Sequence, residues 1–304
     1  MFSEDEHTAP VYHPGPNGAF PDKPACTEVA MIDGALAVWY ALTAASIAVM
    51  AFDLATNTPA MGVMKAAWIL IALYLGSIGL VVYLLSCRQP LPGTHDAFVA
   101  AHWKQSIGSL AHCLAGDATG IILAAMLTYR FGFPNGVDLL LEYTAAFLFG
   151  WMIFQALFMR SMLGGNYVLA LRKTFFAEFV SMNMVMVGMI PTMVILMRAL
   201  PEARDPLRPL FWGVMSLATL VGGLTAYPIN SWMVRRGIKH GMMSAPQSMP
   251  APAMPRTGMP MSAVMHEQHA PAPPFARQAY VVALTLAALA VTVWLTTGVA
   301  SIRF

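Results

Sequence analysis

Seven apolar runs, each close to 20 residues long, fix what this chain can become. At ~1.5 Å of helical rise per residue such a run crosses the ~30 Å hydrocarbon core of a bilayer. The runs predict helices at 34–55, 66–87, 106–130, 139–163, 174–199, 209–232 and 278–300. Composition agrees. Only 11% of the 304 residues are charged and 58% are hydrophobic. A soluble domain carries about 25% charged residues and cannot bury that much apolar surface. Extensive disorder needs the opposite balance. A net charge of +2 leaves no basic footprint for nucleic acid. The expected fold is all-α: a polytopic transmembrane bundle with a six-helix body and a C-terminal anchor helix, its main partner the lipid bilayer.

Around that bundle the chain divides by composition. Residues 1–33 are polar, with scattered Pro and Gly, and read as a disordered arm. No cationic segment precedes an early apolar run, so no cleavable signal peptide is expected. The bundle occupies 34–243, with 95–105 as an amphipathic lead-in to the third span. Residues 244–275 hold eight prolines and read as an extended linker. The terminal helix falls within 276–304. With seven spans, eleven Lys and Arg lie on the side of the N-terminus and the linker, against six on the other. The positive-inside rule then places the N-terminus in the cytoplasm.

Polar residues inside an apolar helix are costly and need a reason. The third span carries the most. Gly108, His112, Gly116 and Gly120 recur every four residues as one ridge. His102, Ser106, Ser109, Cys113 and Asp117 form a polar ridge beside it. The glycines admit a second helix backbone at close range. Asp117 lies roughly 16 Å into the span, near the midplane. Its candidate partners enter from the same side: Glu178 and Asn183 in the fifth span, Gln155 and Asn166 near the end of the fourth, Tyr227 and Asn230 in the sixth. Such convergence predicts a polar or metal-binding cavity, or a hydrogen-bond network that locks the helices.

Methionine is abundant, at 24 residues. Met182, Met186, Met189, Met193 and Met197 make a stripe at helical spacing, with Glu178 one turn ahead on the same face. Thioethers select soft ions such as Cu(I), although a methionine stripe is also ordinary core packing. Gly188 and Pro191 predict a kink in this span. The linker holds Met242, Met243, Met249, Met254, Met259, Met261 and Met265, then His266 and His269. A proline-rich linker has no core to fill, so these residues point to a soft-metal ligand set, a redox target or an adaptable contact surface, or else to compositional drift in a disordered loop. Copper is therefore the expected metal. Yet thioether copper sites are most useful outside the reducing cytosol, and the charge count puts the linker inside. The cysteines, Cys26, Cys87 and Cys113, form no CxxC pair.

His112-Cys113-Leu-Ala-Gly116-Asp117, followed by Gly120, resembles the signature of a bacterial multi-pass membrane domain of unknown function. Tyr227-Pro-Ile-Asn230 and Arg236-Gly-Ile-Lys239-His240-Gly-Met242 fit the same domain, over about residues 95–243. The resemblance implies importance for His112, Cys113, Gly116, Asp117, Asn230, Lys239 and His240, a bacterial inner-membrane location, and an association in some cases with copper proteins. It implies no reaction. Three functions follow from the sequence: a soft-metal handler, a scaffold or assembly subunit with a membrane or copper-protein partner, and an intramembrane enzyme or haem protein. No nucleotide loop, zinc-protease helix or nucleophile elbow is present.

Overall fold

In the computed structural model, residues 26–241 and 274–299 are described. The helices are α1 (Cys26–Thr56), α2 (Gly62–Leu75), α3 (Ser77–Ser86), α4 (His95–Val99), α5 (His102–Phe131), α6 (Asn135–Leu148), α7 (Ala156–Met162), α8 (Tyr167–Ala199), α9 (Pro209–Arg235) and α10 (Phe275–Val299). A π-helical segment, Phe149–Gln155, joins α6 to α7, and a 3₁₀ turn, Pro201–Arg204, follows α8. The protein is an all-α membrane bundle, without a strand among the described residues. Among the described residues, six helical runs are long and apolar enough to cross a bilayer, with α6, the π segment and α7 counted as one.

Local chemistry sets several boundaries. Pro209 starts α9 at a position where its missing N–H costs nothing. Asn166 Oδ1 caps α8 by accepting from the Leu169 N–H at 2.9 Å. Gly132 ends α5 in the left-handed region, with φ 64°. Helix α8 runs on through Pro191.

Helix α5 is central. Its most apolar stretch is 72% buried, against 17% for α1, for the run through α6 and α7, and for α10. Those outer helices turn Val38, Phe52, Leu140, Leu284 and Trp294 outward, which is the surface lipid wets. Helices α8 and α9 pack most closely. A Cβ at Gly188 would stand 2.8 Å from the Gly222 Cα, and Thr225 Oγ1 donates to the Met184 carbonyl at 2.9 Å.

The segment expected as the second span folds differently. It splits at Gly76 into α2 and α3, which return antiparallel. Gly79 packs on the backbone of Ile71 and Ala72, and Trp68 meets Tyr83 edge-on at 5.4 Å between ring centroids. Gly76 makes the turn with φ 55° and lies against Thr43 and Trp39. The tip reaches halfway along the bundle, where the Tyr74 and Thr119 hydroxyls are 2.6 Å apart. The base is tied to the end of α1. Asp53 accepts from Tyr83 OH (2.5 Å), Thr58 Oγ1 (2.8 Å), Arg88 Nε (3.0 Å) and Asn57 Nδ2 (3.1 Å). Such a hairpin is tolerated at membrane depth because it is buried in protein: Trp68 and Tyr83 are wholly enclosed.

This hairpin decides which ends meet. The start of α1 lies beside the start of α9, where Tyr40 OH donates to the Pro209 carbonyl and Leu36 packs on Gly213. The base of the hairpin lies at the other end. There α5 begins and α9 finishes, His102 Nε2 standing 3.2 Å from the Ser231 carbonyl. Helix α10 starts at that end too, with Val281 among Ala177, Val180 and Met233. The start of α1 therefore lies at the opposite end from the end of α9 and the start of α10. The sequence reading, which counted 66–87 as a crossing, put them on one side.

Candidate functional site

Four elements meet around Cys113, about halfway along α5. The Gly116 ridge brings the π-helical segment against α5: a Cβ on Gly116 would stand 2.6 Å from the Gly150 Cα. Gly120 packs as closely on Ala145 and Ala146. The wider π turn carries Gly150 into a space that no side chain could share. A Cβ there would run into the carboxylate oxygens of both Asp117 and Glu178.

Cys113 Sγ donates to Glu178 Oε2 at 2.8 Å. Lys239 Nζ donates to Cys113 Sγ at 2.6 Å and to Asn230 Oδ1 at 2.9 Å. It also stands 3.6 Å from Glu178 Oε2, with both side chains fully buried. Asn230 Nδ2 donates to Ser181 Oγ at 2.8 Å. Gln155 Oε1 lies 3.7 Å from the thiol, and His112 Nδ1 lies 3.5 Å from it on the other side. The His112 ring stacks on Phe158, with centroids 5.0 Å apart. The chain thus reaches the thiol from α5, α8, the π segment and the turn after α9.

The anions are not matched. Both Asp117 oxygens and Glu178 Oε1 are buried with no hydrogen-bond partner. An unsatisfied buried carboxylate is among the most costly groups a fold can hold. Two carboxyl groups face a single ammonium. The pocket balances only when one carboxyl holds a proton or a further cation enters.

The remaining predicted residues fall elsewhere. Asn183 is a helix link: it accepts from Tyr143 OH at 2.7 Å and donates to Thr285 Oγ1 at 3.2 Å. It ties α6 and α10 to α8, so α10 is integrated into the bundle through a polar contact. Asn166 caps α8 rather than joining the cluster. Met182, Met186, Met189 and Met193 are buried in the apolar core, and Met197 packs at its margin. Met189 lies against Gly222, where it fills the α8–α9 seam. His240 is half-buried beside Lys239. Met242, Met243, Met249, Met254, Met259, Met261, Met265, His266 and His269 lie outside the described residues. Among the described residues, no group of three or more His, Cys, Asp and Glu stands at metal-binding spacing.

Sequence reasoning missed Gly150 and Ser181, and Lys239 was singled out only through the resemblance. Glycine within an apolar run carries no polar signal, and Lys239 lies beyond the last residue of α9.

Comparison with known proteins bears on this same region. Residues 102–239 match a domain of unknown function, DUF4396. The matched segment begins with α5 and ends on Lys239, so it holds every member of the cluster. It falls within the 95–243 stretch expected from the resemblance. No curated protein and no solved structure matches the chain.

Proposed function

We propose that this is a cation-handling membrane protein whose intramembrane site is built on Cys113 and Glu178, with Asp117 as a buried anion beside them rather than a third ligand, and with a soft metal ion, copper foremost, as its cargo. One observation carries the reading: the Asp117 carboxylate, fully buried, has no partner on either oxygen and faces the unpartnered Glu178 Oε1 across Gly150. Anionic oxygens left in this state within apolar surroundings attract a cation. Cys113 supplies a soft donor, with the His112 imidazole beside it. The methionines and histidines at 242–269 add soft ligands in sequence.

The hairpin alters the orientation argument. Lys23 and Lys65 exchange sides, and the tally stays at eleven against six. The linker side is then cytoplasmic and the N-terminus outside, in a bacterial inner membrane. Under that orientation the site lies nearer the cytosol, where a thiol is the effective soft donor.

A scaffold role is the second reading. It is favoured by the hydrogen bonds that join Cys113, Glu178, Lys239, Asn230 and Ser181, which clamp α5, α8 and α9 whether or not an ion enters. Metal analysis of the purified wild type, His112→Ala and a 244–273 deletion separates the two. The cation reading expects at least one equivalent of copper in the wild type, one equivalent retained in the 244–273 deletion, and less than in the wild type in His112→Ala. Absence of stoichiometric copper from the wild type contradicts it.

A further inference from the structure

We propose that the Lys239 ammonium is a tethered counter-ion, and that a monovalent soft cation replaces it in the pocket of Cys113 and Glu178. This rests on the cation-handling reading and specifies how the site is held when empty. Lys239 Nζ stands where a thiol-bound metal ion would stand, 2.6 Å from Cys113 Sγ and 3.6 Å from Glu178 Oε2. While it is there, no metal can reach both groups. Its backbone is not part of a helix. Lys239 follows the end of α9 by four residues, beyond the left-handed Gly237. Arg235 and Arg236, at the start of that turn, are exposed. The four-carbon stem therefore reaches inward from the margin of the bundle, and rotation about its own bonds can carry the ammonium back out.

Once Asp117 holds the proton that balances the pocket, charge supports a monovalent ion. Exchange of one ammonium for Cu(I) or Ag(I) then leaves the pocket neutral, whereas a divalent ion would leave it with an excess positive charge. When the metal binds, a sulfur–metal bond forms and the S–H bond breaks. The proton passes to Glu178 Oε2, its present hydrogen-bond acceptor. The unpartnered Asp117 oxygens remain to face the new cation.

The test uses the full-length protein in detergent, with Ag(I) as a redox-stable probe. Binding is measured by calorimetry in the wild type and in Cys113→Ser. Acetylation by an amine-reactive ester is followed by peptide mass spectrometry at Lys239, with exposed Lys173 as reference. One equivalent of Ag(I) should raise the Lys239 rate about tenfold, leave Lys173 unchanged, and do neither in Cys113→Ser. Folded Lys239→Leu should bind Ag(I) about tenfold more tightly, because the competitor is gone and no new ligand replaces it. Cys113-dependent binding with an unchanged Lys239 rate overturns the counter-ion and leaves the cation site standing. If Ag(I) shows no Cys113-dependent binding, the cation site fails and the counter-ion with it. The wild-type labelling decides the matter even where Lys239→Leu does not fold.

Discussion

At position 150 only a hydrogen atom separates the π-helical backbone from two carboxylates. Gly150→Ala must push Asp117 or Glu178 aside, and overpacking of this kind costs about 1–3 kcal/mol. Thermal melting should show that loss. Gly62→Ala makes a fair comparison, because nothing lies within 4 Å of the added methyl. It should leave the melting temperature unchanged or slightly raised, since alanine favours the helix. Equal losses at the two positions would mean that Gly150 is not crowded. Legibility differed among these residues for a physical reason. Cys113 and Asp117 stood out because polar groups at helical spacing in an apolar span have few innocent explanations. Gly150 did not, because its role is to be absent from a space defined by two other helices.

The α2–α3 hairpin shows where reading by element reached its limit. A run of 22 apolar residues has the same composition whether it crosses once or turns back halfway. Gly76, mid-run, was the available signal, together with Asp53 near the end of the first run and Lys65 and Arg88 flanking the second. The base should depend on Asp53. Asp53→Ala removes the acceptor of the Thr58 hydroxyl and leaves Tyr83 OH only its 3.1 Å bond to Thr58 Oγ1, at a cost of about 1–3 kcal/mol. The ion pair with half-exposed Arg88 adds little to that. Opening of the base should expose the buried Cys87. Maleimide labelling at Cys87, resolved by peptide mapping, should rise in Asp53→Ala and stay low in the wild type. A Cys87 that remains protected would contradict the clamp. The methionine stripe on α8 teaches a related lesson. Its spacing was visible, but spacing alone does not distinguish thioethers offered to a metal from thioethers that fill a helix seam, and Met189 does fill one.

At the scale of the whole molecule, the fold class was evident from apolar run length alone, while sidedness was not, because one hairpin miscounted as a crossing reverses the N-terminus. The bundle brings its two described chain ends to one end, and the end of α9 and the start of α10 to the other. Topology reporters at residue 20 and after residue 304 should therefore agree, and one at residue 255 should report the opposite side. Agreement of the reporters at 20 and 255, with the one after 304 on the opposite side, is the seven-crossing result and would contradict the hairpin. The central claim is that the buried cluster, rather than the linker, holds a cation. It is tested most directly by the Cu(I) content of the protein purified with residues 244–273 deleted, with and without Cys113→Ser. One equivalent in the deletion, lost on adding Cys113→Ser, is the result predicted. No copper once the linker is gone, or copper indifferent to Cys113, would contradict it.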